Sequence, residues 1–304
     1  MFPKNDQIEE YSQLMDNLMS ENCKYIKEVK DNKVQRAITA FVNSPLKELD
    51  AYIINRAKLK CRGIRYTSNA RQPQYKHDYI NKNRIAVYTC VFGKYDELQE
   101  PLCLPDNVDY WYIGDQTLPK NTLWKKLDID EEKLGINKFS PTKKNRFVKM
   151  NPQVFFKNYK YSLYIDGNIK IFGDITAEIN RISTLGFSCH RHPNRDCVYE
   201  ELDACLIYKK IDKKTREKLL QSLLQEEMTH HYGLLECNVL AREHNNPICG
   251  EIDQRWWGFF EKYGKRDQLW LPVVLMKMGI PVEKVCGLGY NLAENYMFRV
   301  ENHK

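Results

Sequence analysis

The chain has 304 residues and a formal net charge of +7, with 42% hydrophobic against 29% charged residues. That length and balance give one large domain, or one domain with an extension, around a sizeable core, and they exclude wholesale disorder. The 47 Lys/Arg are interspersed with 40 Asp/Glu, which excludes a dedicated nucleic-acid binder and fits a chain with one local anion site.

Residues 1–84 read as a helical extension and polar connector. Ile8, Tyr11, Leu14, Met15, Leu18 and Met19 recur at helical spacing, Val34, Ile38, Phe41 and Val42 repeat it, and Leu46, Leu49, Ile53 and Ile54 follow Pro45. Arg, Lys, Asn, Gln and Tyr then dominate up to Arg84. No stretch reaches the roughly 18 apolar residues of a membrane helix, and the start lacks a signal-peptide pattern. A cytoplasmic protein is expected, with self-association through residues 1–84 as one role for the extension.

From Ile85 the character changes. Ile85–Phe92 is a continuous apolar, β-branched run ended by Gly93-Lys94-Tyr95-Asp96, which predicts a buried strand feeding a loop. Asp109–Ile113 predicts a second strand ended by Gly114-Asp115, Lys143–Phe156 a helix, and Tyr161–Ile165 a third strand broken at Asp166-Gly167-Asn168 before Ile169–Phe172. Charged and apolar helices are predicted over 212–229 and 268–278. Strands separated by helices imply an α/β domain over residues 85–304, with a mixed, mostly parallel sheet.

In such sheets ligands bind beyond the carboxyl ends of the strands, where three polar turns converge here. Asp166-x-Asn168 puts two oxygen-bearing side chains on one tight turn, a pattern able to hold Mg²⁺ or Mn²⁺ against nucleotide phosphates. Asp-Gly is equally a common hairpin turn. The segment just before it contains Lys143, Lys144, Arg146, Lys149 and Lys157 with no acid between Lys138 and Lys160. Arg146 and Lys149, three apart on a predicted helix, share a face that can grip a diphosphate.

These residues carry a family resemblance. Thr89-Cys90-Val91-Phe92-Gly93-x-Tyr95-Asp96, Lys144-Asn145-Arg146-x-x-Lys149, Tyr164-Ile165-Asp166-Gly167-Asn168-Ile169 and His192-Pro193-x-Arg195-x-Cys197-Val198-Tyr199-x-Glu201 follow in order. Arg242-x-His244-Asn245 and Arg266-Asp267-Gln268 complete the set. It resembles a glycosyltransferase-like family of plant cell-wall and mucilage proteins and bacterial surface-polysaccharide clusters. The resemblance spans about residues 85–280 and implies a GT-A type fold: a nucleotide-binding α/β half, an acidic metal motif and an acceptor half.

By that resemblance Asp166 is the DxD-like aspartate and, with Asn168, the metal position. Phe92, Gly93, Tyr95, Asp115, Arg146, Lys149 and Asp166 are the donor side. Asp267, with Arg266 beside it, is the catalytic acid that faces the sugar or acceptor, either deprotonating the acceptor hydroxyl or supporting an oxocarbenium. Asn168 in place of a second acid keeps an oxygen ligand but loses a charge.

His192, Arg195 and Glu201 read as polar contacts of an acceptor-side loop, with simple loop structure as the alternative. Arg242 and His244 read as acceptor contacts or loop anchors, and Trp257 as a sugar-stacking face or plain core. The ten cysteines include no Cys-x-x-Cys pair, and Cys189, Cys197 and Cys205 suit no zinc framework, so reduced, mostly buried thiols are expected. The expected function is transfer of a sugar from a nucleotide-diphosphate sugar to a saccharide or lipid-linked saccharide, in capsule or other surface-polysaccharide assembly. The site of action is then the cytoplasm, peripheral to the inner face of the membrane. A nucleotidyltransferase acting on a sugar phosphate and a non-catalytic adaptor are the alternatives.

Overall fold

The computed structural model describes residues 83–93 and 96–301. The extension, the connector up to Lys82 and the loop residue Tyr95 lie outside the described residues. The elements run β1 (Ile85–Val91), β2 (Val108–Gly114), β3 (Lys125–Lys126), α1 (Pro141–Met150), α2 (Pro152–Phe155), β4 (Tyr161–Ile165), β5 (Ile169–Ile171) and α3 (Thr176–Ile179). They continue with β6 (Phe187–Arg191), α4 (Val198–Ile207), α5 (Lys213–Gln225), β7 (Leu235–Glu243), α6 (Pro247–Tyr263), α7 (Trp270–Lys277) and β8 (Phe298–Val300). A 3₁₀ turn, Asp267–Leu269, leads into α7.

Six strands form one sheet in the order β3-β2-β1-β4-β7-β6, and β5 pairs with β8 in a separate ribbon. β1 is parallel to both β2 and β4, whereas β7 runs antiparallel to β4 and β6. The expected mixed, mostly parallel α/β architecture is thus present. Every residue of β1 is buried, because a parallel strand with neighbours on both sides is covered on both faces, and its unbroken apolar run meets that demand.

Each face of the sheet has its own core. One gathers Tyr88, Val148, Leu202, Leu223, Trp256 and Trp270 from the sheet and helices α1 and α4–α7. The other gathers Val87, Tyr110, Ile165, Ile179, Leu292 and Phe298 under α3 and the C-terminal segment. Burying one such side chain is worth about 1.5–3 kcal/mol, so both layers hold the strand ends in place.

Three differences from the sequence reading have local causes. The helix expected over 143–156 is two helices, because Pro152 lacks an N–H and drives Asn151 out of the helical region, to φ −130° and ψ 49°. The helix expected over 212–229 stops at Gln225, and Glu227 takes a left-handed φ of 53°. β6 and β7 give no hydropathy signal because Ser188, His190 and Arg242 are polar residues fully buried inside strands. Seven of the eight described cysteines are buried and all eight are free thiols, as expected.

Candidate active site

The carboxyl ends of β1, β2 and β4 lie on one edge of the sheet, and α1 is fastened beside them. Ser140 caps α1, with its Oγ accepting the Lys143 N–H at 3.3 Å, and Pro141 fills the first turn, where no N–H is needed. Asn145 Nδ2 donates to the Cys90 carbonyl at 2.6 Å. Further along, the Lys149 carbonyl accepts from Tyr88 Oη at 3.2 Å and from an Arg242 terminal nitrogen at 2.9 Å. These bonds tie the helix to the strand and aim Arg146 and Lys149 at the strand ends.

Both cations meet the same carboxylate. Lys149 Nζ lies 2.8 Å from Asp267 Oδ2, and Arg146 Nε lies 3.0 Å from Asp267 Oδ1. The arginine contact is an ion pair whose angle makes no hydrogen bond, so its buried Nε–H is unsatisfied. Lys149 Nζ also lies 3.6 Å from Asp166 Oδ1, which accepts the Tyr164 hydroxyl at 2.7 Å. Residues 118 positions apart thereby share one charge cluster.

The cluster is graded in exposure. The side chains of Lys149 and Asp267 are 2% and 6% exposed, whereas Arg146 and Asp166 retain 21% and 29%. Solvent therefore reaches the cluster at Arg146 and Asp166. Burial alone would raise the Asp267 pKa, but Arg146 and then Lys149 hold that carboxyl well below the usual range. Asp267 stays ionised at neutral pH, the form that both of its expected roles require, and its lowered pKa makes it a weak proton acceptor. Burial would lower the Arg146 pKa, but Asp267 and Asp166 keep its guanidinium charged.

On the donor side, the Gly93 N–H donates to Asp115 Oδ2 at 2.8 Å, joining the ends of β1 and β2. Gly93 has a left-handed φ of 75°, and a Cβ there would sit 3.2 Å from Pro141. Phe92 is buried in the first core beneath this loop. The structure therefore brings together Arg146, Lys149, Asp166 and Asp267, and joins Gly93 to Asp115 at the ends of β1 and β2. Arg266 immediately precedes Asp267, and its Nε is buried with no hydrogen-bond partner.

The acceptor-side candidates have different surroundings. His192, Arg195 and Glu201 make one buried knot: Arg195 Nε donates to Glu201 Oε2 at 2.7 Å, and His192 Nδ1 accepts the Arg195 N–H at 3.1 Å. Burial, then the Arg195 charge, pushes the His192 pKa down to about 4, so it is neutral at physiological pH. Arg242 is fully buried and paired with Asp253, at 2.9 Å between Nε and Oδ2. His244 bonds the Ser162 hydroxyl at 2.7 Å and the Phe156 carbonyl at 3.1 Å, which joins α2 to β4. Trp257 packs edge-on to Phe147 at 5.2 Å on the outer side of α1.

Sequence reasoning passed over Tyr164, Trp256 and Glu236. Tyr164 stands two residues before Asp166, a signal that could have been used. Trp256 Nε1 donates to the Asp267 carbonyl at 2.9 Å; its place in an aromatic run hid that role. Glu236, at the start of β7, accepts the Leu292 N–H at 3.0 Å, and burial pushes its pKa up to about 7.

A divalent ion would find few ligands. Among the described residues no group of three His, Cys, Asp or Glu side chains converges. Asn168 is buried, and its Nδ2 donates to the Glu301 carbonyl at 2.9 Å. Asp166 offers its second carboxylate oxygen at the exposed edge. This set forms no all-protein cage, so an ion held at Asp166 would need most of its ligands from water or a bound molecule.

The edge of the sheet thus carries two clustered cations, an ionised buried carboxylate and a part-exposed aspartate. The family model for the TOD1/MUCI70 glycosyltransferase-like domain matches residues 24–301, and the chain belongs to that family. The match begins 61 residues before Ile85 and so takes in most of the segment set apart as an extension. A peptide deformylase of Novosphingobium aromaticivorans is 27% identical over 114 residues, which is 38% of this chain and 52% of that protein. The chain thus spans about half the length of that curated relative. Among solved structures, apo mouse xyloside xylosyltransferase 1 superposes with a TM-score of 0.37 at 10% identity, over 64% of this chain and 83% of that one. The mannosyltransferase Ktr4p from S. cerevisiae gives 0.31 at 12% identity, over 75% of each chain. Both likenesses are too distant to carry a statement about chemistry.

Proposed function

We propose that this glycosyltransferase-family chain uses a nucleotide-diphosphate sugar as donor and a saccharide or lipid-linked saccharide as acceptor, in surface-polysaccharide assembly at the cytoplasmic face of a membrane. The observation that carries the reading is the Arg146–Lys149–Asp267–Asp166 cluster at the strand ends. Arg146 and Lys149 supply fixed positive charge where a diphosphate leaving group gains negative charge, in a part-buried site where such charge acts strongly. Asp267 keeps both cations charged and oriented before substrate arrives, and its permanent negative charge favours an oxocarbenium-like sugar. Asp166 would hold a Mg²⁺ or Mn²⁺ ion that neutralises donor phosphate charge.

The test is a panel of UDP-, GDP- and CMP-sugars with Mg²⁺ or Mn²⁺, followed by release of nucleoside diphosphate or, for CMP-sugars, CMP. Absence of binding and hydrolysis across the panel would sink the reading, and pyrophosphate release from a nucleoside triphosphate would replace it with nucleotidyl transfer. Because Arg146 and Lys149 already provide two cations, chelation by EDTA is expected to reduce turnover without abolishing it. Complete loss, restored only by metal, would show that Asp166 and its ion carry the leaving group alone.

A further inference from the structure

Cationic side chains across the described surface are commonly paired: Lys125 with Asp109, Lys144 with Glu131, Lys160 with Glu243 and Lys262 with Glu226. One stretch departs from this. From Ile207 to Lys218 the sequence sets six Lys/Arg against two acids. Only Arg216 among the six is ion-paired, to Asp203 at 2.8 Å. Lys209, Lys210, Lys213, Lys214 and Lys218 are exposed, and no carboxylate pairs with them among the described residues. Asp212, whose carboxylate caps α5 by accepting the Thr215 N–H at 2.7 Å, and Glu217 offset two of the six charges, which leaves the stretch with a net charge of +4.

This ridge converges on the segment that carries Asp267. Helix α4 packs against the Asp267–Leu269 turn. Arg266 and Lys210 both act on the Cys205 thiol of α4, which burial and then Glu201 push up to about 11 against their charge. The Asp212 carboxyl is held below its usual range first by the Thr215 bond, and the Lys265 and Lys214 charges add to this in smaller part. Basic residues therefore adjoin the turn twice: Lys265 and Arg266 directly before Asp267, and Lys209 and Lys210 just after α4, which packs against it. Half-exposed Tyr208 stands in the same stretch and offers an aromatic face for a sugar ring.

Unpaired like charges this close repel one another, and a ligand of opposite sign relieves that repulsion. We propose that the ridge is the acceptor track and that the acceptor is an anionic glycan bearing repeated phosphate or carboxylate groups. The inference rests on the transferase reading above, since it gives the acceptor its route to Asp267. A chain-like ligand accounts for a ridge that leads into a site, which a flat membrane patch does not.

The test is binding of the full chain to poly(glycerol phosphate), alginate and neutral dextran at low and high salt, with phosphatidylglycerol vesicles in parallel. At least one anionic polymer is expected to bind in a salt-sensitive manner, and the phosphate and carboxylate polymers distinguish the group recognised. Lys210→Glu combined with Lys265→Glu is expected to weaken that binding by about tenfold. The charge-matched control, Lys133→Glu with Lys157→Glu, is expected to leave it unchanged. All four lysines are exposed, and an unchanged melting temperature checks that each variant is folded.

Equal binding to dextran, wild-type affinity in the ridge variant, or binding confined to vesicles would each overturn the proposal. Donor hydrolysis is read separately. Absent hydrolysis with intact polymer binding marks failure of the transferase reading, whereas intact hydrolysis with binding indifferent to Lys210 and Lys265 marks failure of the ridge.

Discussion

Two arginines belong to the surroundings of Lys149, Arg242 fully buried and Arg146 part-exposed, and their bonding differs. Arg242 meets one carboxylate, Asp253, and spends its remaining nitrogens on the Lys149 carbonyl and Tyr88 Oη. That group is closed and balanced. Arg146 shares Asp267 with Lys149, keeps an unsatisfied Nε–H, and lies at an edge open to solvent. Both guanidiniums are held charged against burial by carboxylates. The difference is saturation: Arg242 is fully bonded inside the fold, whereas Arg146 bonds Asn145, leaves its Nε–H unsatisfied and keeps part of its surface in solvent.

Removing Asp253 probes the closed pair most severely. Asp253→Asn strands a buried guanidinium and is expected to cost about 3–5 kcal/mol of stability in urea unfolding. An unchanged midpoint would mean that the pair is not the scaffold element described. At the open cluster, Asp267→Asn is expected to cut donor turnover by about 10²–10³-fold, or about 2.7–4 kcal/mol of transition-state stabilisation. Circular dichroism and the melting temperature separate this from unfolding, and turnover within twofold of wild type would remove Asp267 from the mechanism.

Glu236 sharpens the contrast through pH. Its pKa is raised in the fold, so its stabilising contribution is complete below the unfolded value, about 4.3, and is lost as pH rises through about 7. Glu236→Gln is therefore expected to gain stability relative to wild type above pH 7, on the order of 1–3 kcal/mol, and to flatten the fall between those values. A parallel pH dependence in wild type and variant would rule this out. The smallest effect belongs to the loop that joins the donor-side strands. Gly93→Ala forces a left-handed φ on a side chain 3.2 Å from Pro141 and is expected to cost about 1–2 kcal/mol in thermal unfolding.

Much of the sheet was legible because local pattern and tertiary role coincide there. The apolar run Ile85–Phe92 could only be a strand covered on both faces, and Tyr161–Ile165 ends where the Asp166 turn begins. Arg146 and Lys149 were legible as neighbours from helical spacing alone. β7 was not, since its buried Arg242 is tolerable only with Asp253 supplied from α6. His192, Arg195 and Glu201 read as acceptor-side contacts or as loop structure, and nothing in their order along the chain reveals that they bond one another.

The chain by itself determined the strand–turn–helix order, the acid-free cationic helix and the turn that presents Asp166, because each depends on residues a few positions apart. Tertiary structure decided which carboxylate those cations meet. Asp267 lies 118 positions from Lys149, and the two touch only because Trp256 and Gln268 anchor the 3₁₀ turn while Tyr88 and Arg242 anchor α1. Length and net charge bound a fold and an anion site. Burial of Asp267 between two cations drives its pKa down and keeps it ionised, which neither length nor net charge could reveal.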